Sequence, residues 1–68
     1  VKYLVIFEKS EIGFWAYVPD LQCCIAVESS LEEVHELIKE AIVLHLEALR
    51  EDGFEIPQPL VTSELIEV

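Results

Sequence analysis

The sequence predicts an α+β domain, a two-layer β-β-β-α-β unit whose mixed sheet is covered on one face by one long helix. Three observations predict it. Short alternating apolar runs of strand type fill residues 1–28. A capped apolar stripe of helical period begins at Leu31. A last apolar segment follows a proline-rich exit. With 68 residues the chain is one domain over 1–68.

The first strand is VKYLVIFE. Val1, Tyr3, Val5 and Phe7 share one face, and Leu4 and Ile6 make the other face apolar too. Such a two-sided pattern suits a central strand. KSEIG, with Gly13, is a hairpin connection. FWAYV then sends Phe14, Ala16 and Val18 to one face and Trp15 and Tyr17 to the other. Pro19-Asp20 ends that strand, because proline cannot donate to a ladder. CIAVE is the third strand, with Ile25 and Val27 on one side.

SSLEEV starts the helix. Ser30 is the cap, and Glu33 completes a capping box. Glu32 and Glu33 suit the positive end of the helix dipole. The helix runs from Leu31 to about Asp52, with a stripe of Leu31, Val34, Ile38, Ala41, Ile42, His45 and Leu49. Leu37, Leu44 and Ala48 widen the stripe on one flank. Gly53 stands where a helix stop is expected. FEIPQP leads out, and LVTSELIEV forms the last strand. A helix between the third and fourth strands crosses one sheet face. The other face, carrying either the Trp15/Tyr17 set or the Phe14/Val18 set, then needs a second cover. Exposed patches of that kind mark protein interfaces.

Composition narrows the function classes. Fourteen acidic against 4 basic residues give a net charge of -10. That surface repels phosphate backbones, so no direct nucleic-acid binding is expected. It attracts a basic protein and speeds the encounter. No apolar run approaches the roughly 18 residues of a membrane span. No secretory signal pattern is present. Two cysteines without a disulfide framework suit a reducing, cytoplasmic setting. A domain this small buries only about 60% of its unfolded surface, so a homodimer or homotetramer is expected.

No chemistry-bearing motif stands out. Adjacent Cys23 and Cys24 point to opposite faces of a strand and do not favour a mutual disulfide. His35 and His45 lie ten residues apart, about 15 Å along a helix, too far to complete a metal site with those cysteines. His45 falls in the apolar stripe and is expected to be a buried, hydrogen-bonded core residue; His35 is a boundary residue. The carboxylates lie mostly on the solvent face of the helix, and two glycines cannot make a phosphate loop. No catalytic residue, metal or cofactor is expected, and the chain is read as no enzyme.

The residues from Tyr3 to Pro59 resemble the N-terminal domain of HicB-family antitoxins, in a stand-alone form with no DNA-binding domain. The resemblance rests on order and spacing. Gly13 is followed by an aromatic residue, then Ala16, Val18-Pro19-Asp20-Leu21 and Cys24. SLEEV, KEAI, Gly53 and Ile56-Pro57-x-Pro59 follow. Gln22-Cys23 stands where the family has Pro-Gly, and Glu28 where it has glycine.

The resemblance implies a partial ribonuclease-H-like fold and a small basic partner, the mRNA-cleaving HicA toxin. The antitoxin domain would cover the toxin's active site. Phe14, Trp15, Tyr17, Pro19, Asp20, Leu21 and Gln22 are the candidate contact residues. The alternative is a solitary oligomeric HicB-like binding module without a toxin partner.

Overall fold

The computed structural model of the chain describes residues 2–22 and 24–68; what was expected of Val1 and Cys23 lies outside them. The elements are β1 (Ile6–Ser10), β2 (Gly13–Tyr17), β3 (Ile25–Glu28) and α1 (Leu31–Glu51). The strands form an antiparallel sheet in the order β1-β2-β3, and the helix packs across β2 and β3. The α+β class and the layering match the sequence reading.

The first hairpin is tighter and later than the sequence suggests. Ile6 pairs with Tyr17 and Ser10 with Gly13, leaving Glu11-Ile12 as the loop. Extending this register would bring Leu4 opposite Pro19, which has no N–H to give. Ladder pairing therefore stops at Ile6, and residues 2–5 are irregular although they carry strand-like alternation. Gly13 serves a close approach: a Cβ there would lie 2.5 Å from the Glu28 carbonyl oxygen.

Val18-Pro19-Asp20-Leu21 forms a turn. The Leu21 N–H donates to the Val18 carbonyl at 3.1 Å, with Pro19 in the position where its fixed φ suits a β-turn. The Val18 N–H donates to the Cys24 carbonyl at 3.2 Å and closes the loop. Leu21 and Cys24 are buried beneath it.

The helix has the expected ends. Ser30 Oγ accepts from the Glu33 N–H at 3.2 Å. The Glu33 carboxylate in turn accepts from the Ser29 and Ser30 hydroxyls at 3.1 and 2.9 Å. At the other end the Gly53 N–H bonds Arg50 O and the Phe54 N–H bonds Leu49 O, with Gly53 at φ 78. That pair of bonds is the Schellman motif.

Ala16, Val18, Leu21, Cys24, Ala26, Val34 and Ile38 make the core, with Tyr3, Val5, Phe14, Ala41, Ile42 and Leu46 packed round it. Leu31, expected in the buried stripe, is exposed at the open first turn. His45 is half-buried rather than enclosed.

One expected element is not formed. Residues 54–68 carry no strand, so the sheet has three described strands and is antiparallel throughout rather than mixed. Two contacts hold this segment elsewhere. The Tyr3 hydroxyl donates to the Pro57 carbonyl, and the Val61 N–H donates to Asp20 Oδ2 at 3.2 Å. Tyr3 precedes β1 and Asp20 follows β2, so the segment crosses the end of the hairpin instead of running beside a strand. Pro57 and Pro59 also lack the donors that a strand would need there.

Candidate functional site

Directly paired residues share a sheet face. The row Phe7–Ala16–Ala26 lies on the helix side, where Phe7 stacks on His35 with ring centroids 6.0 Å apart. The rows Ile6–Tyr17–Ile25 and Glu8–Trp15–Val27 therefore form the opposite face. Sequence alternation left open which aromatic set would be uncovered. It is the Trp15/Tyr17 set.

Among the described residues no element covers this face. Ile25 and Val27 are 57% and 55% exposed, and Trp15 and Tyr17 are half-buried. The two aromatic rings stack on each other at 5.2 Å and stand as a single ridge. Beside the ridge is a shallow concavity of about 290 Å³, lined by Trp15, Tyr17, Pro19 and Ile25 together with the buried Val18, Leu21 and Cys24. A hydrophobic patch with two large aromatics and a polar margin has the composition of an interface centre.

The seven candidate contact residues divide. Trp15, Tyr17 and Pro19 line the concavity, and Leu21 lines it from a buried position. Gln22 is exposed beside it. Phe14 faces the helix and packs against the core, because β2 alternation turns it away from Trp15. Asp20 is half-buried and spends its carboxylate on the Val61 N–H. Ile6, Ile25 and Val27 share the open face without being among the candidates. Their signal was present in the alternation of VKYLVIFE and CIAVE, but choosing between faces needed the helix position.

Acidic side chains gather on the helix side of the molecule. Glu28, Glu32, Glu33, Glu36 and Glu40 line an open groove with Leu37 along the first half of the helix. Among the described residues no three His, Cys, Asp or Glu side chains converge in a metal-holding group. Burial pushes the Cys24 thiol pKa up, which disfavours the nucleophilic thiolate. Among the described residues no helix is long and apolar enough to cross a membrane. What this arrangement can do is bind: an apolar, aromatic face on a strongly acidic body.

Residues 3–67 match the family model described as HicB_like antitoxin of bacterial toxin-antitoxin system. The chain belongs to the HicB-like antitoxin family. Among its relatives is a UPF0150 protein of Archaeoglobus fulgidus, 41% identical over 56 residues, covering 78% of this chain and 81% of that one. A UPF0150 protein of Helicobacter pylori is 45% identical over 47 residues, covering 69% of this chain and 65% of that one. An uncharacterized 14.9 kDa protein of Haemophilus phage HP1 is 36% identical over 56 residues, covering 82% of this chain but 42% of the phage protein. The HicB-like fold is also similar to a chain of the solved HicA3 and HicB3 toxin-antitoxin complex. The TM-score is 0.72 at 30% identity, over 88% of this chain and 70% of that one.

Proposed function

We propose that this HicB-like protein neutralises a small basic RNA-cleaving toxin of HicA type by laying the Trp15/Tyr17 sheet face over the toxin's active-site surface. The observation that carries the proposal is the uncovered aromatic face on a sheet whose other side is already sealed by the helix. Family membership and the likeness to a chain of a toxin-antitoxin complex support it. The net charge of -10 supplies long-range attraction for a basic partner. Trp15 and Tyr17 supply rigid area at the centre, where binding energy concentrates. No bond is made or broken in this chain. Neutralisation is occlusion, and catalysis belongs to the partner.

The test is capture of the partner from the native host, followed by an RNA-cleavage assay with purified components. The proposal expects a small basic protein at near-equal amount, whose cleavage stops at one equivalent of this chain. Trp15→Ala should raise the amount needed. Recovery of the chain alone, as an oligomer that leaves a cognate toxin active, would replace this reading with a solitary binding module.

A further inference from the structure

We propose that residues 60–68 are an exchanged arm: they add as a strand to the outer edge of β1 in a second copy of the chain, which returns its own arm. The segment LVTSELIEV carries no helix or strand, and its Leu60, Leu65, Ile66 and Val68 are exposed, Leu65 and Val68 fully so. Its composition is of strand type and it touches little of its own chain, so it is a strand candidate without a sheet. Its apolar residues fall on both parities, Leu65 on one side and Ile66 and Val68 on the other. It therefore fits a site that is apolar above and below.

The chain's own edge is not where the arm is aimed. The Tyr3–Pro57 and Asp20–Val61 hydrogen bonds carry it across the end of the hairpin, from which it projects. The radius of gyration is 13.3 Å, against about 11 Å for a compact chain of this length.

The acceptor is β1. It is an edge strand, so the outward N–H and C=O groups of Ile6–Ser10 lack ladder partners. Phe7 on the helix side and Ile6 on the open side offer apolar neighbours on both faces. Charge separates the two edges. β1 carries Glu8 and Lys9 and is neutral overall, with Lys9 a counter-ion for Glu64 or Glu67 of the arm, whereas the one charged residue of β3 is Glu28, beside the acidic groove. Reciprocal exchange gives a closed two-fold pair and leaves the Trp15/Tyr17 face free.

The test uses the full chain alone, so its outcome does not depend on the toxin reading. Light scattering after size exclusion should give twice the chain mass, and hydrogen exchange should show protected outward-facing β1 amides. Leu65→Glu and Ile66→Glu should each give a monomer with unchanged far-UV circular dichroism, because neither side chain supports the core. The outward-facing β1 amides should then exchange at least tenfold faster. A monomeric wild-type chain overturns the proposal, as does a dimer that both variants leave intact. Protection of the outward-facing β1 amides that does not fade on dilution overturns it too, since the arm would then bind its own chain; the inward amides, paired with β2, are protected in either case.

Discussion

Trp15 and Ala16 are neighbours in sequence with opposite duties. Ala16 is fully enclosed between sheet and helix, so Ala16→Leu overpacks and should cost about 1–3 kcal/mol in urea denaturation. Trp15→Ala removes a side chain from the open face. It should leave the denaturation midpoint nearly unchanged but cost about 2 kcal/mol of toxin binding by calorimetry, roughly thirtyfold in affinity. Gly13 belongs with Ala16: Gly13→Ala puts a methyl group 2.5 Å from the Glu28 carbonyl, and the two strands must part. A loss of about 1–3 kcal/mol is expected, read by the same denaturation. Cys24 adds a pH dependence. Burial raises its thiol pKa above the ordinary 9.0, so the folded state keeps a proton that the unfolded chain gives up first. The stability from this group is complete below pH 9.0 and is lost as pH rises through the folded value. Below that range native Cys24 should react with thiol reagents far more slowly than in urea, which a time course of alkylation at pH 8 would check.

At the scale of elements, the helix was the most legible part of the sequence. Ser30 and Gly53 mark its ends because capping chemistry is local and needs no tertiary contact. Ser30→Ala should cost about 1 kcal/mol. Gly53→Ala, with free space around the new Cβ but φ at 78, should cost about 1–2 kcal/mol from backbone strain alone. Thermal melts of both variants check these values. The strands were legible as strands but not in extent. Residues 2–5 alternate as well as β1 does, yet Pro19 across the hairpin removes a donor and pairing ends. The last segment shows the same limit more strongly. LVTSELIEV has strand chemistry, but whether it pairs depends on an edge being within reach, which lies outside local sequence. The division of the contact candidates has a similar cause. Alternation separated Phe14 from Trp15, while the side taken by the helix decided which one remained open.

For the whole molecule, charge acts in opposite senses on the two proposed associations. Two copies that each carry -10 repel, so salt should strengthen self-association. Attraction to a basic toxin is screened, so salt should slow that encounter. Raising sodium chloride from about 0.05 to 0.5 M should therefore increase the dimer fraction in sedimentation, while the toxin on-rate in stopped flow falls about tenfold or more. The order β1-β2-β3-α1 has a further consequence, in time rather than space. Every strand pairs with its neighbour in sequence, and the helix packs on the strands just made. Among the described residues, the hydrogen bonds of longest separation are Tyr3–Pro57 and Asp20–Val61, 54 and 41 positions apart. Short loop closures come first because they lose little chain entropy. Hairpin, sheet and helix can thus form before residues 54–68 dock against Tyr3 and Asp20. The Trp15/Tyr17 face is built by the strands alone, so its formation does not wait for the last segment to dock.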